Sequence, residues 1–140
     1  MPYITQPGKP ETSILKMEHI VFDEISFFRK GFRNDDSSEL SINVSSSVRD
    51  LEGTASCVSL KLLAIKDSEY EVRISISGYC SVDEKNSLGR ELIEKNAVAI
   101  LFPYLRAELS LLTAQPETEP IVLPAINING MLESAKNSNQ

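Results

Sequence analysis

Between Asn96 and Thr113 the chain reads Asn-Ala-Val-Ala-Ile-Leu-Phe-Pro-Tyr-Leu-Arg-Ala-Glu-Leu-Ser-Leu-Leu-Thr, and from Ala97 to Leu112 only Pro103, Arg106, Glu108 and Ser110 are not apolar. These are good helix formers, so the stretch predicts a helix. Arg106, Ser110 and Thr113, at i, i+4 and i+7, mark one narrow polar stripe on it. Most of the remaining circumference needs covering, because a helix that is apolar nearly all round is a buried one. In a chain of 140 residues one sheet covers one face. The economical cover for the other is a second copy of the same protein.

The segments before this helix read as strands. Leu15 to Phe28 is rich in β-branched and aromatic residues, with Leu15, Met17, His19 and Val21 on one parity and Ile20 and Phe22 on the other. That pattern suits a strand covered on both faces for part of its length. The parity slips near Asp23-Glu24, which predicts a bulge. Arg29 to Ser38 is a polar loop. In the next segment Leu40, Ile42, Val44 and Val48 alternate with Ser41, Asn43, Ser45 and Ser47, as expected of a strand with one face in the core. A third strand is expected from about Ala55 to Lys66 and a fourth from Tyr70 to Tyr79. A two-residue turn at Ser68-Glu69 would set Cys57 opposite Cys80, whereas a three-residue loop would pair Leu60 with Ile76 and Leu62 with Ile74. The second register matches apolar with apolar and is preferred. Strands first and helix after predict an α+β fold, with the helix laid on one face of a four-stranded antiparallel sheet.

Asp83 to Asn86 supplies capping residues, and Leu88, Leu92 and Ile93 have helical spacing, so a first helical segment either continues into the apolar one or breaks near Asn96. A proline inside a helix costs about 3 kcal/mol and predicts a kink around Ala99 to Pro103 if the helix runs through. After Thr113, Pro116, Pro120 and Pro124 forbid regular helix. Yet Ile121, Val122, Leu123, Ile126 and Ile128 are too apolar for a free linker, so this is a proline-rich arm packed on something. Gly130 to Ala135 is expected to form a short C-terminal helix. The chain thus divides into a flexible lead-in over 1–13, one domain over 14–135 and a disordered tail over 136–140.

Composition narrows the function. The net charge of -6, with no cluster of Lys and Arg, argues against a nucleic-acid partner. The apolar stretch, interrupted by Arg106 and Glu108, falls short of the ~20 residues a membrane helix needs, so no membrane insertion is expected. The first ten residues have neither the basic start nor the apolar run of a signal peptide, and a cytoplasmic location is expected. Cys57 and Cys80 lack metal-type spacing and read as small buried hydrophobes. His19 sits among strand residues, the glycines are isolated, and the serines at Ser45-Ser46-Ser47 have no base beside them. No catalytic constellation and no cofactor are expected. What the chain has in surplus is apolar surface, suited to extended apolar polypeptide segments between helix and arm.

Ala99-Ile100-Leu101-Phe102-Pro103-Tyr104-Leu105-Arg106-Ala107-Glu108, followed by Pro120-Ile121-Val122-Leu123-Pro124-Ala125-Ile126-Asn127, resembles the signature of the SecB protein-export chaperones. Glu24-Ile25-Ser26-Phe27 is similar to that family's Asp-Ile-Ser-Phe stretch. The resemblance covers about residues 14 to 135. It implies a SecB-like fold with a crossover arm and a short second helix, assembled as a homotetramer, a dimer of dimers with the helices sandwiched between sheets. It also implies ATP-independent binding of unfolded or slowly folding client polypeptides, with Phe102, Tyr104, Leu105, Ile121, Leu123 and Ile126 as candidates for client contact or groove wall. Members serving general secretion dock the SecA translocase ATPase through acidic residues on the sheet. Glu24 matches one of these, whereas Phe28 falls where a second acid is expected and Arg73 lies near the place of another. SecB-like proteins also occur as dedicated chaperones of antitoxins in toxin–antitoxin systems, and that client class fits this chain as well as export does.

Two other readings stand beside this one. A hot-dog thioesterase also wraps a sheet round a central helix, and it would need a carboxylate such as Glu91 or Glu94 at an interface tunnel. A plain scaffold would bind one folded partner and ignore unfolded chains.

Overall fold

The computed structural model describes residues 15–36, 39–83, 89–125 and 128–132. Four strands, β1 (Leu15–Arg29), β2 (Leu40–Asp50), β3 (Ala55–Lys66) and β4 (Tyr70–Val82), precede one long helix, α1 (Arg90–Thr113). The sheet is antiparallel in the order β1-β4-β3-β2, so β1 and β2 are its edges. Residues 114–125 form the arm, and residues 128–132 are helical. The expected lead-in over 1–13, the tail over 136–140 and, of the expected capping stretch Asp83 to Asn86, all but Asp83 lie outside the described residues, as does Leu88.

Apolar matching sets the register. Lys66 pairs with Tyr70 across the three-residue loop Asp67-Ser68-Glu69, which brings Leu60 opposite Ile76 and Leu62 opposite Ile74. Cys57 then faces Tyr79 and Cys80 faces Ser56. Residues one apart in register point to opposite faces, so these two buried thiols cannot bridge. Burial pushes the Cys80 thiol up, with Cys57 and Glu18 adding to the effect.

β1 departs from the expected parity. Its pairing with β4 slips twice, at Glu18 between Met17 and His19, and at Asp23 between Phe22 and Glu24. The second bulge is the expected one. The first moves Ile20, paired with Gly78, onto the face of Met17, and sends His19 and Val21 to the other side. Leu15 and Met17 therefore do not share a face with His19 and Val21, because Glu18 takes up one residue of the alternation.

The helix lies on the face made by Val58, Leu60, Leu62, Ala64, Val72, Ile74 and Ile76, burying Ala97, Val98, Leu101, Leu105 and Leu109 against it. A β-carbon at Gly78 would stand 3.2 Å from Leu101 Cδ2 and 2.7 Å from Met17 Sδ, so glycine there lets helix and edge strand close over the sheet. The helix runs unbroken through Asn96 and through Pro103, which sits exposed in its middle. β2 presents Leu40, Ile42, Val44 and Val48 half-buried to the core side. Ser46 interrupts that row and donates to Glu94 Oε2 at 2.7 Å.

At the far end a buried ion pair closes the sheet. Glu69, fully buried in the β3–β4 loop, pairs with Lys66, whose Nζ also donates to the Asn34 carbonyl at 2.9 Å. The Glu69 carbonyl accepts from Lys30 N at 2.7 Å and Gly31 N at 3.2 Å. Gly31 packs so closely on the Ser68 carbonyl that any side chain there would collide with backbone. Burial raises the Glu69 pKa, but the hydrogen bond and charge of Lys66, with Arg29 behind it, outweigh that and hold it below its usual value.

A carboxylate depressed on folding stabilises the fold above its unfolded pKa and loses that contribution as pH falls through the folded value. Stability to urea is therefore expected to decline as pH drops below about 4.5. Glu69→Gln, which strands Lys66, is expected to cost about 3 kcal/mol at neutral pH and to flatten this decline. An unchanged denaturation midpoint in the variant would contradict the assignment.

Candidate functional site

The polar stripe on α1 does not face water; it holds the arm. Arg106 Nε donates to the Leu123 carbonyl, Ser110 Oγ donates to the Ile121 carbonyl at 2.9 Å, and the Ile121 amide donates to Thr113 Oγ1 at 2.8 Å. Thr113 Oγ1 in turn donates to the Leu109 carbonyl at 2.8 Å. An arm broken by prolines has no ladder or helix to satisfy its peptide groups, and these three side chains do so instead. Farther along, Asn129 Nδ2 donates to the Lys95 carbonyl at 3.0 Å. The arm thus runs back along the helix, antiparallel to it.

The turn that starts the arm is fixed from β1. Arg29 donates to the carbonyls of Pro116 (3.3 Å) and Glu117 (2.9 Å) and to Thr118 Oγ1, with its guanidinium 5.0 Å from the centre of the Phe27 ring. Glu117 adopts a left-handed conformation at φ 60°, and its carboxylate accepts from the Arg33 amide at 3.1 Å. Such backbone persists in a non-glycine residue only where its surroundings hold it.

Two covers therefore meet the helix, the sheet and the arm, and the described residues leave the remaining side uncovered. Ile100, Tyr104 and Leu111 are exposed there, and Phe22 and Ile25 stand exposed on the neighbouring edge strand. Of the residues expected at the site, Phe102 is buried on the arm side and lines a cavity of about 250 Å³ with Ala99, Pro103, Arg106, Ala125, Ile128 and Asn129. Ile121 is buried under the arm and Leu123 half-buried beside it. Tyr104, 49% exposed, lies outside that cavity, and Leu105 is wholly buried. Ile126 lies outside the described residues. Ala99, Pro103, Arg106, Ala125, Ile128 and Asn129 were not singled out as site residues. The signal for them was Pro103 and Arg106 three residues apart on a helix, opposite a proline-bounded arm.

The other face of the sheet carries polar chemistry. Glu24 is exposed there opposite Ser75, and neighbouring pairs set Ser26 against Arg73 and Phe28 against Glu71. Arg73 is taken by Glu71 at 3.3 Å. A hollow of about 370 Å³ opens over Ser47, Ser59 and Ser77, where Ser59 and Ser77 share a hydrogen bond of 2.9 Å and Ser77 donates to Asp23. Glu91 is exposed and pairs with Lys95 at 3.3 Å, while Glu94 is held by Ser46. His19 is exposed opposite Tyr79. Among the described residues no group of three His, Cys, Asp or Glu side chains is placed to hold a metal ion, and no helix is long and apolar enough to cross a membrane.

This architecture matches a solved structure. The SecB-like chaperone Rv1957 of Mycobacterium tuberculosis, in complex with a ChAD peptide from the HigA1 antitoxin, superposes with a TM-score of 0.63 over 80% of this chain and 87% of that one, at 11% identity. The fold is SecB-like. A protein of unknown function from Streptococcus agalactiae covers 81% of this chain and 99% of its own length at 14% identity and a TM-score of 0.47. An uncharacterized protein of Methanocaldococcus jannaschii is 28% identical over 132 residues, 88% of this chain and 85% of that protein. No family model matches the sequence.

If the helix stripe holds the arm, Thr113→Val strands the buried Ile121 amide. A loss of about 2 kcal/mol is expected, with faster hydrogen exchange at Ile121 and Leu123 than across β3 and β4. Exchange rising equally throughout would mean that the arm is not docked as a separate unit.

Proposed function

We propose that this chain is a chaperone that holds extended apolar polypeptide segments, without ATP, along the helix and arm. The observation that carries the reading is the apolar cavity framed by Phe102, Pro103, Ala125 and Ile128, open on a SecB-like fold. An arm docked through its backbone leaves side chains such as Val122, 69% exposed, free to meet a client. Phe102, Ile121 and Leu123 serve as the wall on this reading and Tyr104 as its outer contact, with Leu105 bracing the helix from the sheet side. Ile126 is kept as a further candidate for client contact on this reading.

The client is a dedicated one, such as an antitoxin segment of the kind bound by the mycobacterial neighbour. One feature favours this over general export. Glu24 has Phe28 and an Arg73 already paired to Glu71 for neighbours, instead of further acids that would dock SecA. The uncovered apolar stripe of α1 and the long unpaired edge of β1 supply the contacts of a homotetramer built as a dimer of dimers in the cytoplasm.

The test is suppression of aggregation of a denatured, unrelated protein at stoichiometric subunit concentration, without nucleotide. Suppression is expected, and Val122→Asp is expected to weaken it several-fold without moving the melting temperature, since that residue is exposed. Failure of the wild-type protein to suppress aggregation or to bind any antitoxin segment would overturn the reading. By sedimentation, a mass four times that of the chain is expected, and Leu111→Asp should lower it.

A further inference from the structure

Proline 103 disarms one carbonyl of the helix that frames the groove. In a regular α-helix the amide of residue 103 would bond the carbonyl of Ala99, but proline has no N–H and its ring pushes against that carbonyl. Among the described residues no loop, arm or side-chain donor takes its place. Ala99 and Pro103 are both exposed and both line the cavity between α1 and the arm. Arg106, one turn on from Pro103, spends its Nε on the Leu123 carbonyl, and its remaining guanidinium N–H groups have no partner among the described residues. The cavity therefore sets an acceptor that has lost its regular helix donor beside guanidinium donors without an acceptor among the described residues.

We infer that Pro103 creates a backbone-reading site, in which the Ala99 carbonyl accepts an N–H and the free Arg106 N–H groups donate to a C=O of a bound polypeptide. The occupant is a peptide group of an extended client segment, whose two halves match the two unused partners, while its apolar side chain enters against Phe102, Ala125 and Ile128. In the empty protein water solvates both groups, so the exchange on binding is worth about the net value of one ordinary hydrogen bond for each. Such a site fixes the register of the client without reading its sequence. The proline costs helix stability and leaves the acceptor open, since a residue with an N–H at this position would close it.

This inference rests on the polypeptide-binding reading above, and the experiment separates the two. Pro103→Ala restores the missing helix bond. It is expected to raise the melting temperature while weakening binding of a short fluorescent peptide of alternating leucine and serine by about three- to tenfold. A series of that peptide carrying one backbone N-methyl group at successive residues supplies the second measurement. One position is expected to lose affinity for the wild-type protein and to lose nothing further for Pro103→Ala. Equal affinity of both proteins for the unmodified peptide, or N-methyl losses that are the same in both, would overturn the backbone site while leaving the chaperone reading standing. If the variant melts lower than the wild type, the N-methyl comparison alone decides. No binding of any peptide to the wild-type protein would remove the broader reading as well.

Discussion

Every peptide group that leaves water must find a partner, and that requirement shapes the C-terminal half of this molecule. Prolines at 116, 120 and 124 deny the arm both helix and strand, yet Ile121 is buried. Arg106, Ser110 and Thr113 resolve the conflict by acting as a third kind of partner, neither sheet nor helix backbone. The polar stripe and the proline-broken arm are halves of one device. Without the stripe the arm would have to unbind to water, and without the arm the stripe would be polar atoms set into an apolar helix.

The same requirement explains how a helix so apolar survives in a short chain. The sheet covers Leu101, Leu105 and Leu109, and the arm covers the side of Phe102 and Ser110. Part of what a second copy was expected to cover is thus covered from within. What remains, the stripe through Ile100, Tyr104 and Leu111, is narrower than the pattern alone implied.

Much of the fold was legible because alternation and pairing are local or nearly so. Leu60 opposite Ile76 follows from matching apolar residues across a short loop, and the Asp23 bulge follows from broken parity. The Glu18 bulge was not legible: Met17-Glu18-His19 alternates as well as any strand, and only the pairing with β4 shows that one residue has no opposite. The site was legible as a region and not as a set of contacts. Phe102, Ile121 and Leu123 lie where the helix meets the arm, Leu105 is spent on the core, and the partners of Arg106, Ser110 and Thr113 lie 17, 11 and 8 residues away. Helical periodicity says that these three share a face. It does not say that the face is dry, because sequence shows which atoms are polar and only packing shows what satisfies them.

From Ile121 to Leu123 the arm is held to the helix by two carbonyls and one amide, and its own side chains take no part in those three bonds. Substitution at the outward positions of the arm therefore leaves these bonds in place, whereas Ile121 is tied both by its peptide and by its buried side chain. Natural variation can rewrite Val122 and its outward neighbours without loosening the scaffold, so the chemistry of the arm's outer face can change by drift in a few exposed positions.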